Sequence, residues 1–236
     1  MTTNRVAIIT GASRGIGKAC AEAFFKEGYK LVLFARNAAL LASVVAVLED
    51  KGAQVLSING DVRNPEDVRH AVEDAKKRFG RIDVLVNNAG VAYGPIPLTD
   101  FPEEQWHETI DTNLTALYYW IKAVLPLMKE QGSGIIINVS SMAGKQGFGG
   151  FAAYCASKFG VIGLTESVAE EVKGYGIKVV ALCPGGVHTD MHMALFPQHR
   201  PEDLLKPEEV SAKIISLSDP RDRTPSGSSV DIYKKY

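Results

Sequence analysis

Tyr154 and Lys158 stand four residues apart near the start of a segment with helical spacing, which puts both side chains on one face about a turn from each other. That pairing has a chemical use. A tyrosine at its ordinary pKa of about 10 is a poor base at neutral pH, and a neighbouring ammonium group favours its phenolate form. Such a couple can give a proton to an oxygen atom or take one away. Thirteen residues upstream of Tyr154, the run Asn138-Val139-Ser140-Ser141-Met142-Ala143-Gly144 closes an apolar stretch with two hydroxyls. Near the other end of the chain, Thr10-Gly11-Ala12-Ser13-Arg14-Gly15-Ile16-Gly17 joins a β-rich run to a helix signal. Backbone amides at a helix N-terminus, left uncovered by glycine, can approach a pyrophosphate, and the helix dipole favours negative charge there. The spacing here is G-x-x-x-G-x-G and departs from the G-x-G-x-x-G fingerprint. Taken singly, each feature also has an ordinary reading: a packing tyrosine, a solvated lysine, a serine turn, a glycine turn. No His or Asp is spaced to suggest a hydrolase triad around the serines.

Residues so far apart in the chain need a frame that gathers them. Short apolar β-rich runs at 6–10, 30–35, 54–58, 83–87, 134–140 and 177–183, with a weaker one at 229–233, alternate with helix-length segments. This is the pattern of βαβ units and a mostly parallel sheet. Most of the runs are apolar throughout, as expected for strands covered on both faces. The sequence therefore predicts a single α/β domain over 1–236, a doubly wound parallel sheet of six to seven strands. Segment 66–79 sets Val68, Ala71, Val72, Ala75 and Phe79 at helical spacing, with Pro65 as start signal and Gly80 as stop. Segments 103–130 and 152–173 also read as helices, and Pro126 is expected to kink or end the first.

Composition narrows the function. The chain carries 26 Lys and Arg against 27 Asp and Glu, a formal charge of −1, which does not supply the dense basic face that nucleic acid requires. The basic runs Lys76-Lys77-Arg78 and Lys234-Lys235 are short and read as solvated helix and tail. The most apolar stretch, 38–48, is too short to span a bilayer. Cys20, Cys155 and Cys183 are odd in number, widely spaced and set among apolar residues, which predicts reduced core cysteines and a cytoplasmic protein. Strand-like residues begin at Val6 and leave no room for a secretory leader, so export is not expected. His188, His192 and His199 lack acidic or Cys partners, and no metal site is predicted.

The glycine spacing does not stand alone. Asp61-Val62 follows the third predicted strand, Asn87-Asn88-Ala89-Gly90 the fourth, and Pro184-Gly185 with Val187 and Thr189 the sixth. With Asn113, Ser141 and the Tyr154–Lys158 pair, these features resemble the short-chain dehydrogenase/reductase family and occur in its order, closely over residues 5 to about 190. The resemblance implies a nicotinamide dinucleotide held by Gly11, Ser13, Arg14, Gly15, Ile16, Gly17, Arg36, Asn37, Asp61, Val62, Asn88, Ala89, Gly90, Tyr154, Lys158, Pro184, Gly185, Val187 and Thr189. It implies a catalytic set of Asn113, Ser141, Tyr154 and Lys158. In that set Ser141, not Ser140, would hydrogen-bond the substrate oxygen. Tyr154 would give its proton as hydride reaches carbon, with the positive nicotinamide ring as a further aid to the phenolate. Asn113 would bend the long helix and hold a water leading to Lys158.

Cofactor choice is read at the end of the second strand, where Phe34-Ala35-Arg36-Asn37 offers no carboxylate to the ribose hydroxyls or against a 2′-phosphate. Arg36, with Arg14 in the glycine turn, could bind that phosphate through charge-assisted hydrogen bonds, which favours NADP(H) over NAD(H). Alternatively the two arginines only solvate a strand end and a turn. Substrate contacts are expected from loops 91–97, 142–151 and 187–200, where Phe148, Phe151, Met191, Met193 and Phe196 suggest an apolar pocket or simply packing, and where 187–200 is expected to be a mobile loop. The leading reading is an NADPH-dependent carbonyl reductase similar to 3-oxoacyl thioester reductases. Its alternatives are an NADP+-dependent dehydrogenase of a hydroxy acid or small alcohol and a non-catalytic nucleotide-binding sensor. The family implies a homodimer or homotetramer. The end Ser229-Val230-Asp231-Ile232-Tyr233 departs from the family's Val-Asp-Gly-Gly and makes the tetramer the less secure of the two.

Overall fold

The computed structural model describes residues 4–234, so Lys235 of the C-terminal basic run lies outside the described residues. Its strands are β1 (Val6–Thr10), β2 (Lys30–Ala35), β3 (Val55–Asn59), β4 (Val84–Asn87), β5 (Gly134–Val139), β6 (Ile177–Pro184) and β7 (Ser229–Ile232). They form one parallel seven-stranded sheet in the order β3-β2-β1-β4-β5-β6-β7. All seven predicted strands are present, with bounds within a residue of those expected, and the weak seventh pairs along β6 from Ala181↔Ser229 to Pro184↔Ile232.

Sheet alternation explains the continuously apolar runs. On β1, Val6 and Ile8 face one core with Val32 and Phe34 of β2, whereas Ala7 and Ile9 face a second core with Leu31 and Leu33. The first core is closed by α3 (Pro65–Phe79), α5 (Ala116–Gln131) and α6 (Ala152–Glu171) through Val68, Trp120 and Val161. The second is closed by α1 (Gly15–Lys26), α2 (Ala38–Asp50) and α8 (Pro207–Leu217) through Phe24, Leu41 and Ile214. The apolar stretch 38–48 is thus α2, which buries Leu41, Val44 and Leu48 and leaves Leu40 and Val47 in solvent. No helix among the described residues is long and apolar enough to cross a membrane. Asn64 caps α3, Pro65 opens it and Gly80 closes it in the left-handed conformation at φ 77°.

Two helical expectations need correction. Segment 103–130 is α4 (Glu103–Ile110), a π-helical turn at Asp111–Thr115 and then α5, which passes Pro126 without ending and reaches Gln131. Pro126 lies on the solvent face with Lys122, so the carbonyl that loses its amide partner can turn to water. A π-helical irregularity sits upstream, around Asn113. Segment 187–200 holds a short helix, α7 (Asp190–Leu195), started by Thr189, whose Oγ1 accepts the His192 amide at 3.3 Å.

In this strand order the chain reverses between β1 and β4, and a crevice opens beyond their carboxyl ends. The glycine turn follows β1 and the Asn88-Ala89-Gly90 loop follows β4, so both edges of the crevice come from the predicted motifs.

Candidate active site

A cleft of about 2070 Å³ runs across the carboxyl edge of the sheet. Its walls carry Gly11, Ser13, Arg14, Gly15, Ile16, Arg36, Asn37, Asp61, Val62, Asn88, Ala89 and Gly90 on one stretch. Ser141, Tyr154, Lys158, Pro184, Gly185, Val187 and Thr189 lie on the other. Gly17 and Asn113 are buried just behind it.

The glycine turn is fixed by sterics and one hydroxyl. A Cβ on Gly17 would fall 2.1 Å from the Gly11 carbonyl oxygen, and Gly11 holds φ 65°, so neither position accommodates a side chain. Thr10 Oγ1 accepts the amides of both Asn88 and Ala89 at 3.0 Å, while Asn88 Nδ2 donates to the Thr10 carbonyl at 2.9 Å. Asn88 and Thr10 therefore lock the loops after β1 and β4 together. No side chain caps the start of α1 from Arg14, and no acidic residue stands in its first turn. The helix offers uncovered donors and its positive dipole end to an anion, which fits a dinucleotide pyrophosphate. Thr189 reaches this turn from the opposite wall: a Cβ on Gly15 would touch its methyl group at 3.3 Å.

The catalytic candidates are held by a polar chain through the core. Asn87 donates to Asn138 across β4 and β5 at 2.9 Å, and Asn138 donates to Thr165 of α6 at 2.9 Å. This sets the height of α6, and with it Tyr154 and Lys158. Asn113, wholly buried in the π-helical turn, brackets Val91 by accepting its amide at 2.8 Å and donating to its carbonyl at 2.9 Å. Its amide also donates to Ser157 Oγ at 3.0 Å, and Ser157 donates to the Tyr154 carbonyl at 2.8 Å. The two serines separate. Ser140 is buried and donates to the Lys158 carbonyl at 2.9 Å, whereas Ser141 stands at the cleft wall, accepts the Ala143 amide at 3.1 Å and is a hydrogen-bond partner of Tyr154.

Charge at this end is governed by burial. Lys158 is buried with its ammonium donating to the Val139 carbonyl at 2.8 Å and 5.6 Å from the centre of the Tyr154 ring. Desolvation lowers its pKa to about 8. Burial raises Tyr154, and the Ser141 hydroxyl only partly opposes it. Burial is thus the largest influence on Tyr154 and raises its pKa above the ordinary tyrosine value, toward the protonated form. A protonated tyrosine is the form that serves as an acid.

The other end is exposed and paired. Arg14 and Arg36 both reach solvent; Arg36 leans 3.6 Å from Glu108 of α4. Asn59 donates to the carbonyls of Ala35 and Arg36 at 3.1 and 2.9 Å and shapes the turn after β2, where Asn37 caps α2. Asp61, expected among the cofactor-binding residues, is chelated by Arg63, which lowers its pKa.

On the substrate side, Met142, Phe148, Phe151, Met191 and Phe196 line the cleft and Met193 does not. Phe151 stacks on Phe196 with centroids 5.5 Å apart, and Phe196 stacks on His199 at 5.0 Å. His192 Nε2 lies 3.0 Å from His199 Nδ1, and burial lowers the His192 pKa. Among the described residues no group of three or more His, Cys, Asp or Glu is arranged to hold a metal. The three cysteines are unpaired and buried. Tyr233 and Lys234 also line the cleft, brought there by the Gly185 amide bonding to the Ile232 carbonyl at 2.8 Å. Thr10, Arg63 and Glu108 were given no role from the sequence, with the Thr10 hydroxyl beside the glycine turn as the one local signal, whereas Tyr233 and Lys234, read as the end of a weak strand and a solvated tail, lie on the cleft.

The sequence model of short chain dehydrogenases matches residues 5–200. The 3-oxoacyl-[acyl-carrier-protein] reductase of Synechocystis sp. is 43% identical over 190 residues, covering 80% of this chain and 76% of that protein. The enzyme of that name from Vibrio cholerae is 38% identical over 224 residues, 92% of this chain and 90% of the other. Among solved structures, levodione reductase superposes with a TM-score of 0.93 at 31% identity, covering 99% and 97% of the two chains. A single-substitution variant of actinorhodin polyketide ketoreductase with NADPH gives 0.92 at 32% identity, covering 99% and 98%.

Proposed function

The chain belongs to the short-chain dehydrogenase family, an oxidoreductase acting on C=O and CH–OH groups, and from that premise we propose that it is an NADPH-dependent carbonyl reductase for 3-oxoacyl thioesters. The observation that carries the reading is the placement of Ser141, Tyr154 and Lys158 on one wall of a cleft whose other wall is the glycine turn. The relatives named as 3-oxoacyl reductases and the NADPH-bound ketoreductase support substrate class and cofactor.

The glycine turn and the α1 amides would hold the pyrophosphate, Arg14 and Arg36 the 2′-phosphate, Asp61, Val62 and Asn88–Gly90 the adenosine side, and Pro184–Thr189 the side facing Tyr154. When bound, NADPH supplies the hydride. Ser141 orients the substrate oxygen by a hydrogen bond, and Tyr154, protonated and partly desolvated, delivers the proton that this oxygen needs as it becomes an alcohol. Lys158 stabilises the tyrosinate left behind, and Asn113 keeps α6 and the Val91 loop in register. The same groups, run backwards, oxidise an alcohol. The protein acts in the cytoplasm as a homodimer through α4–α5 and α6, or as a homotetramer; a monomeric mass at micromolar concentration would contradict that assembly.

The test follows nicotinamide absorbance with 3-oxoacyl thioesters, simple ketones and hydroxy acids. The reading expects NADPH consumption to be fastest with an oxoacyl thioester. Oxidation of hydroxy acids with no carbonyl reduced would replace it by the dehydrogenase reading, and binding without turnover on any substrate would favour a sensor.

A further inference from the structure

Four charged side chains and a tyrosine meet at the rim of the cleft beside the turn after β2. Arg36 Nη1 lies 3.6 Å and Arg63 Nη1 3.8 Å from the same oxygen, Glu108 Oε1. Tyr93 Oη donates to the other oxygen, Glu108 Oε2, at 2.5 Å. Arg63 is held from its far side by Asp61, through Nε at 3.1 Å and Nη2 at 2.6 Å. The cluster thus balances two guanidinium groups against two carboxylates. Glu108 is its better shielded member toward Arg36, with 27% of its side chain exposed against 63% for Arg36. Its field is accordingly less screened than that of a free surface carboxylate.

We propose that Glu108 is a specificity-determining residue: by sharing Arg36 and Arg63, its carboxylate limits how strongly this rim prefers a 2′-phosphorylated dinucleotide over an unphosphorylated one. The inference rests on the reading of Arg36 as a ligand of the 2′-phosphate. A phosphate monoester brings between one and two negative charges to Arg36, and any position touching that guanidinium is also near Glu108. The phosphate must share the cation with the carboxylate and face its repulsion. A ribose bearing only hydroxyls meets neither cost. Glu108 therefore weakens the binding of one cofactor and leaves the other nearly untouched. An orienting anchor for Arg36 would have the opposite sign, since its loss would weaken the phosphorylated cofactor.

NADPH and NADH are titrated by nicotinamide fluorescence into the unaltered protein, Glu108→Gln, Arg36→Ala and the double variant at low and high salt, with thermal unfolding to verify folding. Glu108→Gln should bind NADPH about two- to fivefold more tightly at low salt, the scale of a partly exposed ion pair, with the gain shrinking as salt rises. NADH affinity should stay within about twofold, and the gain should disappear on the Arg36→Ala background. Should the Gln variant not fold, Glu108→Asp withdraws the carboxylate by one methylene and should give a smaller gain of the same sign. Unchanged or weaker NADPH binding in the folded variant, or a gain that persists without Arg36, overturns the proposal. A native preference for NADPH with no gain in Glu108→Gln rejects the role of Glu108 and keeps the phosphate reading. Equal affinities in the native protein with an Arg36-dependent gain for NADPH in the variant reject the native preference for NADPH and keep the role of Glu108, and equality in both rejects the two together.

Discussion

Lys158 and Arg36 are cations on the wall of one cleft. Lys158 is 5% exposed, has no carboxylate partner among the described residues and rests on a backbone carbonyl. The Arg36 side chain is 63% exposed and leans toward a carboxylate. Burial brings the first to a pKa of about 8, within reach of neutral pH, and raises the tyrosine beside it. The second lies in water, where salt can screen its field. On the proposed reading, the end that does chemistry would tune its groups by losing water, and the end that selects the cofactor would leave water in place and use charge. Changes at the first end should be large and nearly independent of salt, and those at the second small and dependent on it.

Tyr154→Phe tests the buried end and carries the largest expected effect. The ring is kept and the hydroxyl lost, so turnover should fall by roughly a hundredfold to ten-thousandfold while NADPH binding largely survives. Near-normal turnover with any accepted carbonyl would remove Tyr154 from the role of acid. At the exposed rim, Arg36→Ala should weaken NADPH binding by about 1 to 3 kcal/mol, toward the lower figure because the arginine is largely solvated, and leave NADH nearly unchanged. An equal loss for both cofactors in equilibrium titrations would mean that Arg36 holds something other than the 2′-phosphate.

How much of this was readable before the structure differs between the same two regions. The glycine turn, Asn88, Ser141, Tyr154 and Lys158 are local signals, and the pleat of a doubly covered sheet accounts for the apolar runs that frame them. The resemblance implied Ser141 over Ser140, and the structure spends the Ser140 hydroxyl on the Lys158 carbonyl while Ser141 partners Tyr154. The Arg36–Glu108 pair joins a loop after β2 to α4, and no periodicity in the sequence encodes such a contact. Asn87 read only as part of the run that carries the family resemblance, and the structure gives it to the buried chain to Asn138 and Thr165. Pro126 does not end α5, because its face of the helix is wet and the carbonyl it leaves without an amide partner can turn to water.

The smallest expected effect sharpens the comparison from the side of stability. The folded pKa of Lys158, about 8, lies below its ordinary 10.5, so between these values the unfolded chain binds the extra proton. Its burial therefore costs stability in full below about pH 8, and that cost fades as pH rises toward 10.5. Lys158→Met removes a buried ammonium and keeps much of its volume. The variant should melt about 2 to 4 °C above the native protein at pH 7, a shift worth about 1 kcal/mol, with the difference narrowing by pH 10. A variant less stable than the native protein at pH 7, with a gap that does not change with pH, would show that the hydrogen bond to Val139 outweighs desolvation.

One experiment addresses both ends together: steady-state reduction of a 3-oxoacyl thioester by the unaltered protein, with NADPH varied at low and at high salt. The account predicts measurable turnover, a KM for NADPH that rises several-fold with salt, and a kcat that holds, because on this reading the cofactor is chosen by exposed charge and the proton is delivered from a partly buried tyrosine. A kcat that falls with salt while the KM for NADPH stays fixed would contradict it.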